Sequence, residues 1–212
     1  HPAALIEAGT SFAVLFTVIM RDYFGVRADA ALGYSLGEAS MLWASGVWTD
    51  AEAGSRSWRE SPLFQTRLAG PKAAVREQWH VEPQVADDAL WHSYLLKAPV
   101  DEIRARVADE PRVYLTMINT PEEGIIAGDP AGCRRVIEAL ACHALPVPYD
   151  AVIHVASIMQ ADHADFVDLY THPVRTQRDV TFYSATDCAP LALTSDELAH
   201  ALADMTCSPI DF

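Results

Sequence analysis

The pentapeptide Gly33-Tyr34-Ser35-Leu36-Gly37 has the residue types and spacing of a nucleophile elbow. In such a turn, small residues two places before and two places after the serine let the backbone fold tightly enough to hold it in a strained conformation. The hydroxyl then stands clear of the chain, and the N–H of the next residue, Leu36, sits at a helix N-terminus where it can donate to a developing oxyanion. One short segment would supply both a nucleophile and half of an oxyanion hole. The plainer alternative is a Gly-rich turn whose serine only caps the helix.

A serine hydroxyl needs a base. Histidines stand at positions 1, 80, 92, 143, 154, 163, 172 and 200, and most lie among polar residues that read as solvated surface. His154 differs, because it ends the apolar run Ala151-Val152-Ile153 and precedes Val155-Ala156-Ser157. At the edge of a core an imidazole can be oriented and water limited, although a histidine so placed can equally be a satisfied core residue.

The elements that must position these groups follow from periodicity. Residues 3–23 carry Leu5, Phe12, Leu15, Phe16 and Ile19 at helical spacing and are expected to form a buried helix stopped by Gly25. The apolar run within 28–34 reads as a short strand, and Leu36 onward to Ala44 reads as a helix, giving the strand-turn-helix order that an elbow requires. Farther on, 91–97 reads as a strand, 100–107 as a helix with Ile103 and Val107 inward, and 112–118 as a strand. A turn at Asn119-Thr120-Pro121, a strand over 124–128, a helix over 130–144 opened by Asp129 and an extended piece over 145–148 complete the pattern. The sum is a βαββαβ unit of the ferredoxin-like kind. The fold class expected is therefore α/β, a large hydrolase-like lobe with an inserted ferredoxin-like small lobe. The large lobe would hold 1–90 and 149–212, and the small lobe 91–148.

Composition narrows the function classes. The 212 residues are 50% hydrophobic with a formal net charge of −14, which argues against a nucleic-acid surface, because phosphate binding relies on Lys and Arg. The apolar stretch from Phe12 to Met20 has nine residues, short of the roughly 20 of a membrane span, so no membrane association is expected. Cys133, Cys142, Cys188 and Cys207 show neither metal-ligand spacing nor the density of a disulfide scaffold. They are read as four buried thiols in a reducing cytoplasm, with no metal and no bound cofactor. The chain opens on His1-Pro2 without a basic leader and closes on Pro209-Ile210-Asp211-Phe212, the start of a strand or loop, so it reads as an excised piece of something larger.

With these residues in view, the sequence resembles malonyl-CoA:acyl-carrier-protein-type acyltransferase domains. The resemblance is carried by Gly33-Tyr34-Ser35-Leu36-Gly37-Glu38, by Ile118-Asn119-Thr120-Pro121 through Ile126-Ala127-Gly128, by Ile153-His154 and by Pro209-Ile210-Asp211-Phe212, in that order. Ala39-Ser40-Met41-Leu42 and Gly46-Val47-Trp48 make it most similar to the acyltransferase domains of polyunsaturated fatty acid synthases and related polyketide-like synthases. The resemblance implies a Ser35–His154 dyad, the histidine oriented by a backbone carbonyl. An acyl-CoA thioester would acylate Ser35, and the phosphopantetheine thiol of an acyl carrier protein would then take the acyl group, beside other synthase domains. It also implies an arginine pairing with a substrate carboxylate, for which Arg59 and Arg67 compete.

Two departures bear on this reading. Tyr34 stands where most members have histidine, so it is expected to line the wall beside the acyl group, and Ala151-Val152-Ile153 matches neither the malonyl-associated His-Ala-Phe nor the methylmalonyl-associated Tyr-Ala-Ser. The family's second oxyanion donor, on a Gly-Gln-Gly segment, has no counterpart in these residues. Arg175, Arg178, Arg134 and Arg135 are candidates for carrier docking or ordinary surface charges. An α/β-hydrolase thioesterase and a non-catalytic carrier-docking domain are the alternatives, the former disfavoured by the unit inserted between serine and histidine.

Overall fold

The computed structural model describes residues 2–82 and 84–212, so His1, one of the eight histidines, lies outside them. In chain order the elements are α1 (Pro2–Val18), β1 (Ala30–Leu32), α2 (Leu36–Ser45), α3 (Ala51–Glu60), α4 (Ala73–Trp79), β2 (His92–Lys97), α5 (Val100–Val107), β3 (Val113–Thr120) and β4 (Glu123–Gly128). They continue with α6 (Pro130–Leu140), β5 (His143–Pro146), α7 (Ala156–Met159), α8 (His163–Tyr170), β6 (Thr181–Tyr183), α9 (Ser195–Cys207) and β7 (Ile210–Asp211). The chain divides into two compact units, residues 1–61 with 162–206 and residues 62–161 with 207–212.

In the first unit β1 and β6 form a parallel pair, with Ala31 opposite Phe182 and Leu32 opposite Tyr183. α2 leaves β1 through the serine turn and ends where Gly46 adopts a left-handed conformation at φ 75°. α3 starts at Asp50, whose carboxylate accepts the Ala53 N–H at 3.0 Å, a side-chain cap on one of the helix-end donors. Behind these helices Trp48 and His172 meet edge to face at 4.6 Å, with Trp43 5.0 Å from Trp48. His172 is thus buried among aromatic rings and not solvated, and burial lowers its pKa.

The α1 expectation is corrected by the structure. The helix forms and passes through a π-helical turn, Ile19–Tyr23, before Gly25 takes φ 68°. It is not buried: Ile6 is in the core, but Leu5, Phe12, Leu15, Phe16 and Ile19 are exposed. The reason is that α1 is apolar nearly all round, so only the stripe against α2 finds cover. The nine-residue stretch is also an underestimate, because the small residues interrupting the apolar run do not interrupt the helix. Ala4–Tyr23, 20 residues with mean hydropathy 1.5, is long and apolar enough by length and composition to cross a membrane.

The second unit is built on a five-stranded sheet of order β5-β2-β4-β3-β7. β5, β2, β4 and β3 are antiparallel to their neighbours, and β7 runs parallel to β3. Leu96, Ile103, Val113, Ile126, Cys133 and Val136 form the core between this sheet and helices α5 and α6. Burying each of its Leu, Ile and Val side chains stabilises by roughly 1.5–3 kcal/mol. α6 opens as expected, Asp129 accepting the Gly132 N–H at 2.7 Å with Pro130 in the first turn. It ends earlier than 144, because Ala141 turns left-handed at φ 48° and the chain enters β5 at His143, opposite Lys97. The four cysteines are free thiols, but only Cys133 and Cys207 are buried; Cys142 is half-buried and Cys188 exposed, a correction to the reading of four buried thiols.

Candidate active site

The expected nucleophile and base fall in different units. Tyr34, Ser35, Leu36 and Arg59 belong to the first unit, His154 and Arg67 to the second.

Ser35 sits between β1 and α2 at φ 53°, ψ −119°, a conformation that non-glycine residues rarely adopt. The turn is closed by the Gly37 N–H donating to the Tyr34 carbonyl and the Glu38 N–H to the Ser35 carbonyl, both at 2.9 Å. Gly33 makes this possible, since a Cβ there would lie 2.1 Å from the Gly37 carbonyl carbon and 2.2 Å from the Glu38 nitrogen. A Cβ on Gly37 would meet nothing within 4 Å, so the second glycine of the motif is not needed for closure. Leu36 is the first residue of α2, and its N–H is one of the helix-end donors with no intrahelical acceptor. Gly9 of α1 comes close enough for a Cβ to lie 3.1 Å from the Leu36 side chain, so α1 backs the first turn of α2. Tyr34, next to the serine, is half-buried.

Glu38 stands out in the sequence only as part of a motif; the structure gives it a place. It is fully buried one turn after Ser35, and its Oε2 accepts the Ala185 N–H at 2.9 Å, tying α2 to the segment after β6. Among the described residues its Oε1 has no hydrogen-bond partner. Burial first, then the Asp187 charge, outweigh the Ala185 hydrogen bond and push its pKa up to about 7. Between pH 4.5 and about 7 the folded chain thus holds a proton that the unfolded chain releases, so stability falls as pH rises through that window. Glu38→Gln keeps an acceptor for Ala185 and carries no charge. It is expected to match the native protein at pH 5 and to exceed it at pH 8 by on the order of 2–3 kcal/mol. Urea midpoints at both pH values measure this, and parallel native and variant curves would contradict it.

In the second unit His154 is 2% exposed and adopts φ 61° just before α7. Its Nδ1 lies 3.2 Å from the Ser208 carbonyl oxygen, which accepts a hydrogen only if Nδ1 carries it. That contact leaves the lone pair on Nε2, the tautomer of a base facing away from its orienting group. Ser208 is delivered by the chain's last segment: Ile210 and Asp211 pair with Met117 and Ile118, and the Phe212 N–H donates to the Ile118 carbonyl at 3.0 Å. From the other side, the Val152 N–H donates to the Leu68 carbonyl at 2.8 Å. Lys72, fully buried, reaches the Asp150 carboxylate at 2.9 Å and the carbonyls of Gly70 and Asp87. No periodicity flagged Lys72, whose role depends on carbonyls far apart in sequence.

The two arginines are both engaged. Arg59, exposed on α3, donates to Glu7 at 2.5 Å and to Ser55 at 3.0 Å, and hydrogen bonds from Ser55 first and Arg59 second hold the Glu7 carboxyl below its ordinary pKa. Arg67 ends a π-helical turn, Leu63–Arg67, whose Leu63 and Phe64 are buried, and it donates to Glu77 at 2.6 Å. Among the described residues no cluster of His, Cys, Asp and Glu could hold a metal ion.

No protein-family model matches the chain. Over 148 residues, 68% of its length, the chain is 30% identical to a polyunsaturated fatty acid synthase polypeptide of Thraustochytrium sp., of which it covers 7%. Over 143 residues it is 25% identical to the malonyl CoA-acyl carrier protein transacylase of Synechocystis sp., covering 42% of that protein. Its homologues are acyltransferases. Among solved structures, a malonyl-transacylase in complex with its type II polyketide synthase acyl-carrier protein matches 99% of this chain at a TM-score of 0.73, with 17% identity and 64% of that chain covered. The α/β fold is that of these acyltransferases, and the chain spans less than two thirds of each of the three.

Proposed function

We propose that the chain is the catalytic core of an acyltransferase of a fatty acid or polyketide-like synthase, moving an acyl group from acyl-CoA to the phosphopantetheine thiol of an acyl carrier protein through an acyl ester of Ser35. The observation that carries this reading is the serine turn: a non-glycine residue at positive φ, closed by a glycine with no room for a side chain, at the mouth of a helix. Ser35 Oγ attacks the thioester carbonyl while His154 Nε2 takes its proton, and the Leu36 N–H donates to the oxyanion. The imidazolium returns the proton to the departing CoA sulfur. In the second half-reaction His154 takes the proton of the carrier thiol, the thiolate attacks the ester, and the proton returns to Ser35 Oγ. The hydrogen bond to the Ser208 carbonyl holds the imidazole in the required tautomer throughout, so no carboxylate is needed behind it.

In this reading the antiparallel strands β5-β2-β4-β3 with α5 and α6 are a ferredoxin-like small lobe over 91–148, and residues 1–90 and 149–212 form a hydrolase-like large lobe. The protein acts in the cytoplasm beside other synthase domains, without a metal or bound cofactor. Incubation with radiolabelled malonyl-CoA, followed by a phosphopantetheinylated carrier protein, tests the proposal: label should pass to the carrier thiol. Release to water alone would instead favour a thioesterase, and absence of any label on the protein a docking domain.

Of the two arginines, Arg67 is the better candidate for a substrate carboxylate. It is half-buried on a turn whose Leu63 and Phe64 are buried, and the carbonyl of the next residue, Leu68, accepts the N–H of Val152, two residues before His154. Arg67→Ala is expected to lose malonyl loading by a factor of about 10² while retaining acetyl loading, from loss of a charge-assisted pair. Arg59→Ala, which removes an exposed ion pair, should retain both. Intact-mass measurement across the two acyl-CoAs reads this out, and the reverse pattern would reassign the role to Arg59.

A further inference from the structure

We propose that Glu38 is a positioning residue for Ser35. Neutral, it locks the serine turn to the segment after β6; ionised, it releases the turn, so that acyl loading fades as pH rises. The loading step rests on the function proposed above, whereas the release of the turn rests on the packing of the first unit.

The serine turn and Glu38 share backbone. The Glu38 N–H donates to the Ser35 carbonyl at 2.9 Å, and a Cβ on Gly33 would lie 2.2 Å from the Glu38 nitrogen. Residue 38 therefore cannot shift without reshaping the turn that holds Ser35 at φ 53°. Its side chain reaches a different segment, where Oε2 accepts the Ala185 N–H at 2.9 Å. That segment is itself a closed loop. The Ser184 N–H donates to the Ala189 carbonyl at 3.0 Å, the Cys188 N–H to the Ser184 carbonyl at 3.1 Å, and the Ser184 hydroxyl accepts the Thr186 N–H at 3.0 Å. The loop follows β6, and β6 pairs with β1, the strand that leads into the serine turn. One carboxyl group thus ties two backbone-closed pieces, the serine turn and the 184–189 loop, and all of them belong to the same compact unit.

A carboxylate is ill suited to that place. Glu38 is fully buried with a hydrogen bond to Oε2, and among the described residues Oε1 has no partner. The charge that acts on it, Asp187 in the same loop, has its own sign. Cys188 of that loop is exposed, β1 carries no charged residue, and α1, which also packs against α2, has its Glu7 engaged by Ser55 and Arg59. An ionised Glu38 regains solvation only when water enters between α2 and the loop, which breaks the Ala185 hydrogen bond. Burial, with the Asp187 charge in support, places that change at about pH 7.

The test compares the intact natural protein with its Glu38→Gln variant, which keeps an acceptor for Ala185 and cannot ionise. Two readouts are taken across neutral pH. One is the rate of malonyl loading by quenched-flow intact mass; the other is hydrogen exchange of peptides spanning 33–38 and 184–189, corrected for intrinsic exchange. The native protein is expected to lose loading about tenfold between pH 7.5 and 8.5, as one ionisation requires, and the variant less than about twofold. Corrected exchange in both native peptides should rise about tenfold between pH 6 and 8, and that of the variant should stay level. Parallel loading profiles in the two proteins would overturn the proposal. If the native protein loads at no pH, the acyl-transfer reading fails and the exchange data decide alone, an equal pH dependence in native and variant peptides then overturning the lock.

Discussion

Ser35→Ala is expected to leave no acyl adduct by intact mass after exposure to malonyl-CoA, and transfer to a carrier thiol should fall to background. Alanine cannot form the ester, and no water-mediated route replaces a missing covalent intermediate. His154→Ala should behave differently. The hydroxyl survives, so loading continues at a rate lowered by about 10²–10⁴, the contribution of a positioned general base. A Ser35→Ala protein that still gained the acyl mass would refute the assignment of the nucleophile. The backbone supplies a second readout that chemistry alone would not move. Because Ser35 is held at φ 53°, Ser35→Gly should be more stable than Ser35→Ala by about 1–2 kcal/mol, since glycine adopts that region without strain.

Gly33→Ala is expected to cost about 3 kcal/mol of stability or more, together with acyl loading. Its new Cβ would lie 2.1–2.3 Å from backbone atoms of Gly37 and 2.2 Å from the Glu38 nitrogen, atoms that no rotamer change can move away. Gly37→Ala should have the opposite sign, a gain of about 0.5–1 kcal/mol, because a side chain there meets nothing and alanine is the better helix former. Urea denaturation of the two variants checks the contrast. Equal effects at the two glycines would mean that the turn is not closed as described.

These cases show why part of the site was legible in the residues and part was not. An elbow is local: Gly33, Ser35 and the helix start are neighbours in sequence, so their types and spacing carry the geometry. The orientation of His154 is not local. It depends on the Ser208 carbonyl, 54 residues away, brought there by two residues of β7 pairing with β3. The burial of Glu38 and of Lys72 was not legible for the same reason, since a charged residue in a helix or loop reads as solvated until its distant partners close over it. The exposed face of α1 misled in the other direction, because apolar periodicity states which residues would gain from burial but not whether anything is present to bury them.

By itself, then, the sequence determined the elements whose signals are short-range: the serine turn from its glycines, α6 from Asp129 and Pro130, and the alternating run of strands and helices between residues 92 and 146. Only the tertiary structure decided which carbonyl turns the imidazole, which carboxylate is driven to keep its proton, and which apolar face is left open. Those outcomes depend on desolvation and on hydrogen bonds between residues tens of positions apart, and neither exists until the chain has closed on itself.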